Sequence, residues 1–243
     1  MYEGALMGLQ NPCGFYSFLR HHKNTSQRLM AIYSLNHKPI GKTTHQAGRA
    51  GAHIRYISRY SAEPTIISNG MSDEWRQAKK WMDEQEASDR SNARILDRLM
   101  VAIPIELNDQ ERKALVEDYL EEVTGNLIPW YAAIHETGDD MDNPHAHIII
   151  RDRSFIDGRR VVQTSEKGST SHLRKKWSES ANKALLQANH TELIDHRSLK
   201  SQGIDRMPTR HRGWQEPKLE KETKTWVERI GDKKTERKVR FYG

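Results

Sequence analysis

The brevity of the apolar segments, and the lack of a regular strand–helix–strand rhythm between them, constrain this chain most. The longest purely aliphatic run is Ile148 to Ile150, far short of the ~20 residues a bilayer-spanning helix needs. Short strand-like runs mixed irregularly with helical stretches predict an α+β domain with a central, mainly antiparallel sheet flanked by helices. No internal repeat is present.

Element by element, Met30 to Leu35 reads as a short strand and Gln46 to Ile57 as a helix, with a break at Glu63-Pro64. Ser72-Asp73-Glu74 reads as a cap and acidic first turn of a helix to about Ala87, with Trp75, Ala78 and Met82 along one side. Leu99 to Leu107 is an apolar run whose Pro104 marks a strand end or an edge strand. Asn108 followed by Glu111 has the spacing of a capping box and opens a helix to about Thr124. Pro129–His135 and His145–Arg151 read as strands around a polar loop. Asp157-Gly158 reads as a hairpin turn into Arg159–Gln163. Ser169 or Thr170 caps a long helix to about Ala188 with Leu173, Trp177, Ala181 and Leu185 on one face.

With 35% hydrophobic and 30% charged residues among 243, the expected core is modest and the ends polar. Residues 1–29 lack a sustained period and read as an irregular extension, 30–213 as the folded domain, and 214–243 as a basic, flexible tail. The single cysteine, Cys13, excludes an intrachain disulfide and a cysteine-based zinc site. No basic segment followed by an apolar stretch opens the chain, so the expectation is a cytoplasmic protein without membrane insertion. Charge is unevenly placed: residues 1–60 hold eight Lys/Arg and one acid, and 210–243 hold eleven basic and six acidic residues. Basic ends of this kind suit a polyanion such as nucleic acid, or serve only to solubilise a tail.

The sharpest chemical signal is Asn143-Pro144-His145-Ala146-His147. On a strand, His145 and His147 share a face, and His135 ends the strand before them. If the two strands are antiparallel neighbours, three imidazoles converge and suit a divalent ion such as Mn, Zn, Ni or Co. A surface His-x-His without a ligand is the alternative. The chain contains no His-Glu-x-x-His, phosphate loop or Gly-x-Ser-x-Gly elbow. Tyr56, beside His53, Arg55 and Arg59, is a candidate nucleophile because neighbouring cations favour a phenolate. Tyr60, one turn on, is its rival, and aromatic packing or phosphate hydrogen bonding explains either equally well from local chemistry.

The motifs Met30-Ala31-Ile32-Tyr33, Tyr56-Ile57-Ser58-Arg59, Ile134-His135 and Asn143 to His147 resemble the MobA/MobL relaxases of mobilisable plasmids. Ser165 to Thr170, Leu173-Arg174-x-x-Trp177, Ile194 to Leu199, and Gln202 to Arg206 with Pro208 and His211 are similar to the same family. The resemblance spans about 30–213. It implies an HUH-type endonuclease that nicks one strand at a transfer origin, leaving a 5′-phosphotyrosine and a free 3′-hydroxyl. Carried over by motif, Tyr56 is the nucleophile with Tyr60 as rival, and His135, His145 and His147 are the ligands of a divalent ion, Mn or Mg first, then Zn, Ni or Co. The same resemblance implies single-stranded or hairpin DNA as substrate, contacted by Arg49, Arg55, Arg59, Lys167, Arg174, Arg197 and Arg206, with relaxosome accessory proteins and a coupling protein as partners. Some relatives carry glutamates where this chain has Arg98-Leu99-Met100, and relatives usually begin at the position of Met30. Translation from Met30, or a loosely attached 1–29, is therefore expected. A non-catalytic DNA-binding module of the same fold stays open as an alternative. So does a rolling-circle replication initiator, although such enzymes place the tyrosine after the histidine pair, where only Tyr242 occurs.

Overall fold

The computed structural model describes residues 33–59, 63–136 and 143–205. The chain divides into two units, Met1–Ile194 and Asp195–Gly243. The extension expected at 1–29 and the tail expected at 214–243 lie wholly outside the described residues, as do Tyr60 and Arg206.

In the first unit, five strands form one sheet: β1 (Leu35–Gly41), β2 (Thr65–Asn69), β3 (Arg94–Ala102), β4 (Trp130–His135) and β5 (His145–Ile150). Their spatial order is β1-β3-β5-β4-β2, and every neighbouring pair is antiparallel. The helices are α1 (Arg49–Ile57), α2 (Trp75–Ser88), α3 (Asp109–Thr124) and α4 (Ser169–Gln187). This is the α+β architecture expected from the sequence.

Strand alternation sorts the sheet into two faces. Trp130, Ala132 and Ile134 of β4, with Ala146, Ile148 and Ile150 of β5, join Leu115, Tyr119, Trp177 and Leu185 from α3 and α4 in one apolar core. Tyr131, Ala133 and Ile149 point the other way, onto Ala50, Ile54 and Ile57 of α1 and Ala78 and Met82 of α2. Gly51 lets α1 and α2 approach closely: a Cβ there would stand 2.1 Å from the Asp83 carboxylate. The α3 capping box forms as its spacing required, with Glu111 N–H donating to the Asn108 side chain (3.0 Å) and Asn108 N–H to the Glu111 carboxylate (2.8 Å).

Several elements differ from expectation. The first strand runs Leu35–Gly41, later than Met30–Leu35; Tyr33 and Ser34 lie before it, and residues 30–32 are outside the described set. As an edge strand it carries the polar run Asn36, His37 and Lys38 and tolerates Pro39, which disguises it. Strand β2 was missed for the same reason, being a short edge strand with only two apolar residues. Strand β3 begins five residues earlier than Leu99 and lies inside the sheet; its end at Ala102, just before Pro104, was legible. The helix cap expected at Ser72 sits at Glu74, whose carboxylate accepts from Arg76 and Gln77 N–H. Arg159–Gln163 forms no strand, because the Asp152 carboxylate gathers the N–H groups of Val161, Val162 and Thr164 into a loop. Helix α4 is preceded by Gly168 at φ 90° instead of a hydroxyl cap. The Ser169 hydroxyl donates instead to the Thr164 carbonyl, and the Thr170 hydroxyl bonds His37.

Candidate functional site

The register places His135 of β4 directly opposite His145 of β5, and His147 opposite Ala133. All three point to the face covered by α1 and α2. Their ring centroids stand 5.0 to 5.1 Å apart, and one nitrogen from each lies within 4.8 Å of the others. Among the described residues this is the one such convergence of His, Cys, Asp or Glu side chains.

Backbone carbonyls orient two of these rings. His135, fully buried, donates from Nε2 to the Ile57 carbonyl at 2.8 Å, which makes Nδ1 the lone-pair nitrogen. His145 donates from Nδ1 to the Asn143 carbonyl at 2.9 Å, leaving Nε2 as its lone-pair nitrogen. His147 has its pKa lowered to about 3 by burial, then by the charges of His145, His135, His53 and Arg59. It is therefore a neutral imidazole at neutral pH. Three imidazole donors, two with ring orientations fixed by hydrogen bonds to backbone carbonyls, fit a borderline divalent transition metal ion. They suit Mg²⁺ less, since that ion prefers oxygen ligands.

Tyr56 lies in the last turn of α1, 57% exposed, with its ring edge-on to His147 at a centroid distance of 6.4 Å. His53, one turn back, lies against it at 6.0 Å with the ring planes 15° apart. The Arg59 guanidinium sits 5.0 Å from the ring centroid, within cation–π range, and its Nη1 is buried without a hydrogen-bond partner. The end of α1 is fixed by the His135–Ile57 bond and by a 2.7 Å bond between the Ser58 and Tyr131 hydroxyls. The metal candidate and the tyrosine are thus held by one set of contacts.

Of the basic residues singled out in the sequence, Arg49, Arg55 and Arg59 lie on or just beyond α1. Lys167 and Arg174 belong to the α4 layer on the opposite side of the sheet, where Arg174 Nε donates to the Leu35 carbonyl at 3.3 Å. Arg197 is in the second unit and clamps Asp195 with bonds of 2.6 to 3.1 Å. Sequence reasoning missed Lys38 and Arg98. They line, with Asn36, His53, Tyr56 and His147, a cavity of about 220 Å³ beside the triad. Only strand register brings them there: Lys38 pairs with Arg98, and Met100 with His147.

The sequence pattern of the MobA/MobL family matches residues 44–222. Mobilization protein A of Escherichia coli is 32% identical over 213 residues, covering 76% of this chain and 30% of that protein. The 43 kDa relaxation protein of Salmonella typhimurium is 28% identical over 222 residues, covering 73% of this chain and 56% of that protein. The chain thus spans less than two thirds of either relative. Among solved structures, one from work on vancomycin resistance transfer in Staphylococcus aureus superimposes with a TM-score of 0.52 at 18% identity, covering 69% of this chain and 100% of the other, a likeness of fold. No described helix is long and apolar enough to cross a membrane. With the family pattern covering most of its length, the chain belongs to the MobA/MobL family.

Proposed function

We propose that this chain is a relaxase domain that nicks one DNA strand at a plasmid transfer origin and holds the cut end covalently, initiating mobilisation. The observation carrying this reading is the placement of an exposed tyrosine, Tyr56, edge-on to His147 of a three-imidazole cluster on one face of the sheet. The relaxation and mobilization proteins it resembles support the same reading.

In the reaction, Tyr56 Oη attacks the scissile phosphorus and gives up its proton. The new O–P bond forms as the P–O3′ bond breaks, and the leaving 3′ oxygen takes up a proton to become a free hydroxyl. The products are a 5′-phosphotyrosine and a 3′-hydroxyl, so the phosphodiester bond is exchanged and not hydrolysed. His135, His145 and His147 would hold a divalent ion, which when bound would supply positive charge to the phosphate as it reacts. Imidazole donors by themselves bind Zn²⁺, Ni²⁺ and Co²⁺ more tightly than Mn²⁺; the choice of Mn²⁺ or Mg²⁺ rests on the family resemblance. Arg59 lies over the tyrosine ring and adds a fixed positive charge where the phosphate arrives. Tyr60 is the rival nucleophile. The substrate is a single-stranded or hairpin segment of the origin, and accessory proteins and a coupling protein complete the assembly.

The test uses single-stranded oligonucleotides tiled across the DNA flanking the gene, centred on any inverted repeat there, with Mn²⁺ supplied. Wild-type protein is expected to form a stable covalent adduct. Tyr56→Phe keeps the ring and its stacking, so binding should change little while the adduct falls by on the order of 10⁴-fold. Tight binding without cleavage by the wild type would instead establish a binding module of this fold. An adduct retained in Tyr56→Phe but lost in Tyr60→Phe would move the nucleophile.

A further inference from the structure

The cavity beside Tyr56 and His147 has a second end, formed by the outer strands of the sheet, that neither the triad nor the tyrosine accounts for. Lys38 of β1 and Arg98 of β3 are direct cross-strand partners. Like charges placed opposite each other destabilise a sheet unless something compensates. Among the described residues no carboxylate lines this cavity. Arg98 is half-buried, and its Nε is shielded from solvent without a hydrogen-bond partner. A buried guanidinium nitrogen left unpaired is costly, which points to a ligand that pairs with it. Burial, and then the nearby Arg49 guanidinium, hold the Arg98 pKa below its ordinary value, as expected of cations crowded together without an anion.

The spacing suits a nucleic-acid strand. Met100 pairs with His147, and Arg98 follows two residues along the same strand and face, about 7 Å away at ~3.4 Å per residue. That is on the scale of one nucleotide step of an extended backbone. An anion held at Arg98 is therefore displaced from the triad and does not compete for its ion.

Resting on the nicking function proposed above, we infer that Lys38 and Arg98 form a phosphate subsite that grips the phosphodiester next to the scissile one on the bound strand. The gripped phosphate fixes the register of the strand, so that the reacting phosphorus meets Tyr56. Arg98 is a positioning residue that acts through the substrate backbone. Its fork of donors suits two phosphate oxygens, while Lys38 adds a point charge.

The experiment measures binding, without requiring cleavage, of the full chain to single-stranded oligonucleotides drawn from the DNA flanking the gene and selected for tightest binding. Each oligonucleotide carries one neutral methylphosphonate, stepped across the site. Wild-type affinity is expected to fall about tenfold at one phosphate adjacent to the nick, and Arg98→Gln should bind all-phosphate DNA about tenfold more weakly. In Arg98→Gln the methylphosphonate at that position should cost nothing further, while losses at other positions persist. The log–log salt slope should become shallower by about 0.7, one single-strand phosphate contact. Arg98→Lys, which keeps the charge and guards against misfolding, should recover part of the affinity. Unchanged sensitivity at every position in both variants overturns the subsite, and so does a sensitivity lost only at the scissile phosphate. A wild type that binds with this pattern but never nicks would sink the nicking function and leave the subsite standing.

Discussion

The two faces of this sheet each carry polar side chains, and they use histidine in opposite ways. On the α3/α4 side, His37 donates from Nε2 to Asp97 at 2.7 Å and shares a 2.8 Å bond with the Thr170 hydroxyl. The Thr164 hydroxyl donates to Asp97 at 2.6 Å, and the Arg94 guanidinium closes the cluster on the same carboxylate. With its side chain 4% exposed and Asp97 1% exposed, His37 is a fully partnered strut tying β1, β3 and the start of α4 together. On the α1/α2 side, three imidazoles converge with no carboxylate among them in the described residues, beside Arg59 and Arg98, each with one buried nitrogen lacking a hydrogen-bond partner. A histidine saturated by protein partners specifies structure, whereas imidazoles whose ring nitrogens converge on one point are arranged to ligate an ion.

The largest effect that would break this contrast is on metal affinity. His147→Ala should weaken Mn²⁺ binding by roughly 100-fold or more, because two imidazoles hold the ion loosely and misplace it. His37→Ala should leave Mn²⁺ affinity within a factor of two while lowering the melting temperature by several degrees, as expected for about 2 kcal/mol lost from a buried network. Calorimetric titration and thermal unfolding of both variants read the two effects separately. If His37→Ala lost the metal and His147→Ala kept it, the division of labour between the faces would be reversed.

Asp97 sharpens the contrast through pH. Burial by itself would raise its pKa, but hydrogen bonds from His37, Arg94 and Thr164 outweigh it and hold the carboxyl below its ordinary value. A carboxyl depressed on folding contributes stability that is complete above its unfolded value of about 3.9 and lost as pH falls through the folded value. Asp97→Asn should therefore cost about 3 kcal/mol at pH 7, since it leaves buried partners unmatched. The gap between variant and wild type should narrow only below about pH 4. Urea unfolding at pH 7, 5, 4 and 3 follows this directly. A gap that closes already at pH 6 would mean that another group, not the Asp97 carboxylate, anchors the cluster.

What could be read from the sequence follows the same division. The triad was legible because strand alternation fixes the shared face of His145 and His147, and one loop brings His135 opposite. The α3 cap and the α4 core face were legible because helical spacing is local. Lys38, Arg98 and the His37–Asp97–Thr164 cluster were not, since each depends on the pairing of β1 with β3, more than fifty residues apart in sequence. Strands β1 and β2 hid for a related reason. Edge strands need bury little, so their composition resembles that of loops.

The smallest expected effect tests whether the α3 side is scaffold alone. The Asn108 side chain accepts the Glu111 N–H, and Glu111 returns the favour to the Asn108 N–H, satisfying two donors at the start of α3. Asn108→Ala removes one of these bonds at an exposed helix end and should cost about 1 kcal/mol. Leu115, Val116, Tyr119 and Leu120 still anchor α3 to the core, so the helix should fray at its first turn without leaving the sheet. The triad is on the other face, held by β4, β5 and the end of α1; a link from this end of α3 toward it, the 3.6 Å ion pair of Arg112 with Glu136, does not involve Asn108. Nicking rate and Mn²⁺ affinity should then match the wild type at 25 °C, with the loss visible only in denaturant or on heating. A fall in nicking of tenfold or more, with the fold intact by circular dichroism, would show that motion of α3 reaches the site through β4 and that the two faces do not act independently.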